Sequence, residues 1–122
     1  MVKLSVCIEM FWKEQPMEER VRRAKRLGYP AFEFWGWKNK EIDKIRAARE
    51  ETGLALAAMC LEPNFRLVDY GNDRELVEGT VESAKVARTL GCATLIATTG
   101  DVVAGETWET TCLLYTSPSP RD

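Results

Sequence analysis

The chain has 122 residues, of which 45% are hydrophobic and 30% are charged, as is ordinary for one globular domain. Its formal net charge is −2, from 17 basic and 19 acidic residues, which argues against nucleic-acid binding, since nucleic-acid-binding proteins usually carry a basic surface. No apolar run approaches the ~20 residues that cross a membrane, and the N-terminus lacks a signal-peptide pattern. The four cysteines are scattered and the chain has no histidine, so we expect a cytoplasmic protein without a cysteine zinc site.

Strand and helix patterns alternate along the chain. Strands are predicted over residues 3–10, 31–35, 54–60 and 93–99. Each predicted helix ends at a glycine that a strand follows within a few residues, in the stretches RLGYPAFEF, ETGLALAAM and TLGCATLIA. Glycine is the residue that most often ends a helix in the left-handed conformation. This β–α repeat predicts parallel strands joined by right-handed crossovers.

Three helices fill the spaces between the strands. The first is predicted to begin at Pro16, which suits the first helical turn. The second opens at Asn39 as its N-cap, and the third opens near Asn72 or Asp73. The spacing of the third helix predicts a buried stripe of Leu76, Val77, Thr80, Val81, Ala84, Ala87 and Leu90.

The two faces of the predicted strands differ. Phe32 and Phe34 lie on one face of the second strand and Glu33 on the other, and the first strand alternates in the same way, with Leu4, Val6, Ile8 and Met10 opposite Ser5, Cys7 and Glu9. Strands of a doubly wound sheet are apolar on both faces, whereas a barrel has helices outside and a lumen that becomes polar at its mouth. We therefore predict an α/β fold, a truncated TIM-type (β/α)8 barrel with about four parallel βα units.

The C-terminal stretch CLLYTSPSPRD has no periodic apolar pattern. It resembles the translation of one reading frame of a transposase-type sequencing-library adapter. We interpret residues 1–111 as the N-terminal half of a barrel and residues 112–122 as a disordered tail of adapter origin. A natural disordered C-terminus is the alternative.

The C-terminal ends of the strands carry carboxylates, aromatic rings and hydroxyls, in the stretches IEMFW, EFWGW, MCLEPNF and ATTGD. In barrels the chemistry takes place at this end, where rings pack against a sugar or carbon chain and carboxylates bind its hydroxyls. Structural roles are the alternative, because tryptophans also cover barrel ends and glutamates also pair with Lys or Arg. Cys60 is better explained by packing than as a nucleophile, since no histidine can activate it. Glu62 is interpreted as the start of a loop.

Three stretches, SVCIEMFW, RAKRLGYPAFEFWGWKNKEIDKI and ARTLGCATLIATTG, together resemble the hydroxypyruvate isomerase branch of the xylose-isomerase-like barrel superfamily. The resemblance implies an aldose–ketose type isomerase that interconverts hydroxypyruvate and tartronate semialdehyde through an enediol, with two carboxylates and a divalent metal. In the superfamily those groups lie on later strands, so no catalytic or metal-binding residue is assigned here. We expect this chain to be inactive and without a cofactor, and its full-length parent to use a divalent metal. The implied substrate pocket consists of Glu9, Trp12, Glu33, Trp35, Cys60 and Thr98.

Other functions stay open. Within the same superfamily the chain could be part of a ketose 3-epimerase, a polyol dehydratase or a DNA-repair endonuclease, the last disfavoured by the acidic charge balance. A different class is a small non-enzymatic α/β binding module that is complete at four strands. The expected partner is a small sugar-acid or keto-sugar substrate, with no nucleic acid and no membrane. The open edges of a half-barrel also predict self-association.

Overall fold

The structure, a computed structural model, describes residues 2–63, 73–99 and 104–110. Strands and helices alternate along it as β1 (Ser5–Cys7), α1 (Met17–Arg26), β2 (Ala31–Phe34), α2 (Ile42–Thr52), β3 (Ala55–Cys60), α3 (Asp73–Thr89) and β4 (Leu95–Ile96). The strands form one parallel sheet in the order β1-β2-β3-β4. This layout confirms the predicted fold class. The tail predicted over residues 112–122 and the candidate helix start at Asn72 lie outside the described residues.

The core lies between the sheet and the helices that cover one of its faces. Phe32 and Phe34 of β2 are at most 1% exposed, and their neighbours across the sheet and on the helices are also buried. This buried cluster comprises Val6, Ile8, Val21, Ala24, Phe32, Phe34, Ile45, Ala48, Leu54, Leu56, Met59, Ala87, Leu90 and Cys92. The opposite face of the sheet carries the smaller and polar side chains and corresponds to the lumen of a barrel.

The pairing of β2 with β3 is irregular. Phe32 pairs with Leu56, but Glu33 pairs with Ala58, so the register shifts by one residue between them. Both Ala58 and the next residue, Met59, are buried, although only Met59 belongs to the core cluster. A shift of this kind alters the side-chain alternation of a strand, which the alanine-rich sequence of β3 did not reveal.

The first helix forms where it was predicted. Pro16 occupies its N-cap position, and acidic residues in its first turn and basic residues in its last turn complement the helix dipole. The guanidinium group of Arg22 joins α1 to α2 through an ion pair with Glu51, whose Oε2 atom lies 2.8 Å away. Among the described residues, no helix is both long and apolar enough to cross a membrane.

The predicted N-cap of α2 is wrong. The helix begins at Ile42 with Glu41 at the N-cap position and without a side-chain capping bond. Asn39 lies instead in a turn that closes when the backbone N–H of Lys40 donates to the carbonyl of Trp37. The end of α2 was predicted correctly, since Gly53 has a φ of 65° in the left-handed region.

The predicted buried stripe of α3 is also partly wrong. Val77 and Val81 are 62% and 49% exposed, and Thr80 and Ala84 are exposed as well, whereas Ala87 and Leu90 are buried as predicted. The buried face of α3 passes instead through Gly79, Ser83, Ala87 and Leu90. Small residues at four-residue spacing lie on one face of a helix and let it approach its neighbours closely, and this contact outweighs the valine pattern.

Candidate functional site

The carboxylate of Glu9 lies where β1 and β2 end. Glu9 follows β1 in a turn, and its Oε1 atom lies 2.6 Å from the Nζ atom of Lys40. The same oxygen accepts a longer hydrogen bond, of 3.4 Å, from the backbone N–H of Trp35. The side chains of Lys40 and Glu9 are only 11% and 16% exposed, so water screens the ion pair weakly. Glu9 thus joins the ends of two strands, and Lys40 balances its charge.

Lys40 is positioned by the turn between β2 and α2. Its ammonium group donates a hydrogen bond of 2.5 Å to the carbonyl of Gly36 in the same turn. The group also lies 5.7 Å from the centre of the Phe34 ring, within the range of a cation–π contact. These contacts hold the ammonium group of Lys40 beside the carboxylate of Glu9 at the mouth.

Glu33 has different surroundings. It lies on the open face of the sheet, opposite Phe32 and Phe34 in the alternation, and it pairs with Cys7 across β1 and β2. Its side chain is partly buried, yet within the described residues its carboxylate makes neither a hydrogen bond nor an ion pair. A partly buried charge without a partner is costly unless water or a ligand binds it. Glu33 is therefore available to a ligand in the lumen.

Cys60 ends β3 on the same face. Burial raises the pKa of its thiol, and the nearby Cys7, Glu33 and Glu9 raise it further, whereas Lys40 lowers it. The thiol is consequently protonated at neutral pH, and a protonated thiol is a poor nucleophile. The side chain is better suited to packing and weak hydrogen bonding than to attack on a substrate.

A cavity of about 300 Å³ opens at the ends of β2, β3 and β4. Its lining includes three of the residues predicted for the substrate pocket, and the exposed ring of Trp35 forms an apolar wall. The other predicted pocket residues, Glu9, Trp12 and Glu33, are not among the described lining residues, although Glu33 lies two residues before Trp35 on the same face of the sheet. The residues that line the cavity are Trp35, Gly36, Cys60, Leu61, Glu62 and Thr98.

One wall of this cavity is built on Glu62. Its Oε2 atom accepts hydrogen bonds from the backbone N–H groups of Trp37 and Lys38, in the turn after β2. Gly36 lies against the same carboxylate, because a Cβ atom on Gly36 would be 2.5 Å from the Cδ atom of Glu62. Only a residue without a side chain allows this close approach.

Ser83 of α3 holds the same wall from behind. It is fully buried, and its hydroxyl accepts a hydrogen bond of 3.0 Å from the backbone N–H of Glu62 and donates one of 3.1 Å to the carbonyl of the same residue. The indole N–H of Trp37 also donates to this hydroxyl, at 2.9 Å. The turn after β2, the end of β3 and helix α3 are therefore connected at one point.

Two of the tryptophans near the mouth lie away from the cavity. Trp12, a predicted pocket residue, packs against the core, and its ring centre lies 5.2 Å from the guanidinium carbon of Arg23. Trp37 packs against the core beside Ser83. Of these tryptophans, Trp35 alone lines the cavity formed by the described residues.

The sequence patterns did not predict that Lys40, Glu62 and Ser83 hold the mouth together. Ser83 had a detectable signal, the row of small residues at four-residue spacing between Gly79 and Ala87. Lys40 and Glu62 had none, since their partners lie on other elements and are distant in sequence.

The described residues do not form a metal site. Within residues 2–63, 73–99 and 104–110, no three His, Cys, Asp or Glu side chains converge closely enough to hold a metal ion. Glu9 is moreover engaged by Lys40. These side chains therefore do not fit a divalent metal, and no chemical step is assigned to one.

No protein-family model matches the sequence, and a search of curated proteins gave no match either. Among solved structures, the chain is similar to AP endonuclease, family 2, from Brucella melitensis, with a TM-score of 0.82 and 20% identity over 94% of this chain and 47% of that one. It is also similar to the 3-keto-D-glucoside 4-epimerase YcjR from E. coli, with a TM-score of 0.66 and 16% identity over 93% of this chain and 48% of that one.

The chain thus spans about half the length of the solved structures that it matches. At these identities the likeness concerns the fold and not the activity. Together with the four parallel strands, it shows that the chain has the fold of half a TIM-type (β/α)8 barrel.

Proposed function

We propose that this chain is part of a sugar-acid isomerase of the hydroxypyruvate isomerase type, which interconverts hydroxypyruvate and tartronate semialdehyde. The observation that carries the proposal is Glu33, a lumen carboxylate without a protein partner among the described residues, on the same face as Trp35. A short hydroxy-keto acid matches this combination, because its hydroxyl groups can donate to a carboxylate while its carbon chain packs on an aromatic ring.

The size of the cavity supports a short substrate. Its volume of about 300 Å³ is at the lower end of the range for small-molecule sites. A three-carbon substrate fits such a volume, whereas an oligosaccharide needs a longer groove. The proposed substrate class is therefore a small sugar acid or keto-sugar, in a protein that we place in the cytoplasm.

In this proposal the described residues bind and orient the substrate. Glu33 accepts hydrogen bonds from substrate hydroxyls, and Trp35 and Cys60 cover the carbon chain. The enediol reaction requires a proton-transferring group within hydrogen-bond reach of the two adjacent carbons. Neither Glu9 nor Cys60 suits this role, because Glu9 is paired with Lys40 and the Cys60 thiol stays protonated. We therefore place the catalytic carboxylates and a divalent metal in the other half of a full-length parent. The chain by itself would then be inactive.

A ketose 3-epimerase is the second candidate. The fold likeness to a 3-keto-D-glucoside 4-epimerase favours it. A 3-epimerase reaction also begins, like that of the proposed isomerase, with removal of a proton next to a carbonyl. The likeness to an AP endonuclease raises a DNA-repair function, which the acidic charge balance of the chain disfavours. A non-enzymatic binding module is the candidate from another class.

The test requires a full-length protein that contains this sequence. It is assayed with hydroxypyruvate, with a ketose whose 3-epimer is measured, and with abasic-site DNA. We expect the highest kcat/KM for hydroxypyruvate. Turnover of the ketose alone would indicate the epimerase, cleavage of the DNA would indicate the endonuclease, and no turnover at all would favour the binding module.

Glu33→Gln in the same protein tests the observation that carries the proposal. We expect kcat/KM to fall by ~10-fold or more, because a hydrogen bond to a charged group contributes roughly 1.5–3 kcal/mol. The Tm should hardly change, since Gln has the same shape and no partner among the described residues is lost. Unchanged kinetics combined with a clearly lower Tm would assign Glu33 to stability instead.

A further inference from the structure

The segment between β1 and α1 contains a strained residue. Trp12 has a φ of 53°, in the left-handed region that bulky side chains rarely adopt. Its carbonyl accepts a hydrogen bond of 2.9 Å from the backbone N–H of Gln15. A backbone conformation of this kind costs energy, so it persists only where surrounding contacts hold it in place.

Many of the contacts that hold this segment come from Arg20 of α1. Its Nη1 atom donates to the carbonyl of Ile8 at 3.1 Å, and its Nη2 atom donates to the carbonyl of Lys13 at 2.9 Å. Its Nε atom donates to the carbonyl of Gln15 at 2.7 Å. These carbonyls lie at the start, in the middle and at the end of the segment, so one side chain binds its whole length. A guanidinium group suits this task because its N–H donors form a rigid planar fork.

The hydrogen bond to Ile8 bears directly on Glu9. The carbonyl of Ile8 belongs to the peptide unit that precedes Glu9, and a peptide unit is planar. A hydrogen bond to this carbonyl therefore fixes the orientation of the backbone from which the Glu9 side chain extends. The peptide unit that follows Glu9 is held as well, because the N–H of Met10 donates to the carbonyl of Cys7 at 3.2 Å.

We propose that Arg20 is a positioning residue of the mouth, which directs the carboxylate of Glu9 by binding the carbonyl of Ile8. The direction matters because the carboxylate reaches two partners beyond β2, the ammonium group of Lys40 at 2.6 Å and the backbone N–H of Trp35 at 3.4 Å. The energy of an ion pair falls as its charges separate. Trp35 in turn lines the cavity. Arg20 therefore acts on the cavity wall through Glu9.

The contacts that carry this proposal lie within the first two βα units, over residues 8–40. They join parts of the chain that the structure describes on both sides of each contact. The proposal goes beyond the proposed function, because it concerns the geometry of the mouth and not the identity of the substrate. Failure of one therefore does not imply failure of the other.

The test is a double-mutant cycle on the complete chain, measured by urea denaturation. Lys40→Met, Glu9→Gln and the double variant give the coupling free energy between the two side chains. The same cycle is then repeated in an Arg20→Met background, where we expect the coupling to fall to less than roughly half. Loss of stability alone would leave the coupling unchanged, so this measurement separates positioning from a merely structural role.

Arg22→Met is the matched control. Arg22 lies on the same helix, and its ion pair with Glu51 is at the surface. In this background the coupling between Lys40 and Glu9 should equal that of the wild type. A decrease as large as that in the Arg20→Met background would show that any change on α1 disturbs the pair, and would overturn the proposal.

Arg20→Lys tests the role of the planar fork. Lysine keeps the positive charge, but its compact ammonium group does not reproduce the three separate donors of the guanidinium group. The coupling should therefore fall in this background as well. Unchanged coupling in the Arg20→Met background, or full coupling with lysine at position 20, would overturn the proposal.

NMR spectroscopy of the wild type supplies a measurement that no misfolded variant can obscure. Hydrogen bonds to both Nη atoms oppose rotation of the Arg20 guanidinium group, so its Nη protons should give separate signals. Arg26, which is exposed at the end of the same helix, is the internal control and should give averaged signals. Averaged signals from Arg20 would show that its fork is not held by the carbonyls and would contradict the proposal.

Discussion

Glu9 and Glu33 lie on the ends of adjacent strands, yet their surroundings give them different roles. Glu9 is bonded to Lys40 and to the backbone of Trp35, whereas Glu33 has no partner among the described residues. The difference arises from the turn after β2, which brings Lys40 to one carboxylate and not to the other. The role of a lumen glutamate in this fold therefore depends on whether a loop cation reaches it.

The Lys40–Glu9 pair should contribute measurably to stability. We expect Lys40→Met and Glu9→Gln each to lower the free energy of unfolding by about 2 kcal/mol, because each leaves a poorly hydrated charge or polar group without its partner. The double variant should cost clearly less than the sum of the two. Urea denaturation measures all three values.

The matched control is Lys44→Met, which removes an ion pair with Glu41 on the exposed surface of α2. Exposed pairs contribute little, so this variant should change stability by less than about 0.5 kcal/mol. If Lys40→Met lowers the free energy of unfolding as little as Lys44→Met does, the Lys40–Glu9 pair does not stabilise the fold.

The titration of Cys60 is a second test at this scale. Because burial and neighbouring negative charge raise the pKa of its thiol, the pH of half-maximal alkylation by iodoacetamide should lie above the ordinary thiol value of about 8.5. Glu33→Gln removes one of these charges and should lower that pH. The folded state favours the protonated thiol, so the contribution of Cys60 to stability is present at neutral pH and is lost as the pH rises from the ordinary thiol pKa through the raised pKa of the folded state. Mass spectrometry of the modified Cys60 peptide gives the profile, and a midpoint at or below the ordinary value would contradict this assignment.

At the scale of elements, the turn between β2 and α2 is held by other parts of the chain rather than by its own hydrogen bonds alone. The carboxylate of Glu62 binds two of its backbone N–H groups, and Ser83 binds the backbone of Glu62. The wall of the cavity is therefore formed by three elements together. Its geometry depends on the close approach that Gly36 permits.

Gly36→Ala should disturb this connection. The new Cβ atom would displace the Glu62 carboxylate and break its bonds to Trp37 and Lys38, at a cost of about 1–3 kcal/mol. In a Glu62→Ala background the same change should cost much less, because the carboxylate is already absent. Thermal and urea unfolding of the two single variants and the double variant test this. If Gly36→Ala is neutral or stabilising by the ~0.4–1 kcal/mol that Gly→Ala gains from chain entropy, Glu62 is not held in place.

At the scale of the whole molecule, the sheet has helices on one face and an open lumen on the other. The buried cluster is confined to the helix side, and many of the exposed large apolar side chains lie on the open side or along the edges. This asymmetry is expected of half a barrel, because closure is what removes sheet edges and covers the lumen.

Deletion of residues 112–122 should leave the melting temperature unchanged. The stretch has no periodic apolar pattern that would pack against the core, so its loss should remove no stabilising contact. Differential scanning calorimetry of the complete and shortened chains measures this. A decrease of several degrees would show that these residues belong to the fold and would contradict their interpretation as adapter-derived.

Much of the fold could be predicted from sequence, because local patterns determine it. The glycine after α2, the proline before α1 and the alternation around Phe32 and Phe34 predicted the order of elements, the parallel sheet and the buried face of β2, whereas Leu4 and Met10, predicted on the apolar face of the first strand, are exposed. Glu33 and Trp35 were placed on the lumen side in the same way. Such patterns arise from contacts between residues near each other in the chain, and these can be read directly from the sequence.

Only the tertiary structure decided the rest. β1 and β4 are shorter than predicted, and both lie at an edge of the described sheet. The buried face of α3 was set by the contact of Ser83 with Glu62, and not by the valines of its sequence pattern. Likewise, Lys40 meets Glu9 only after β1 and β2 have paired. These interactions join elements that are distant in sequence, so their energies depend on a geometry that exists only once the chain has folded.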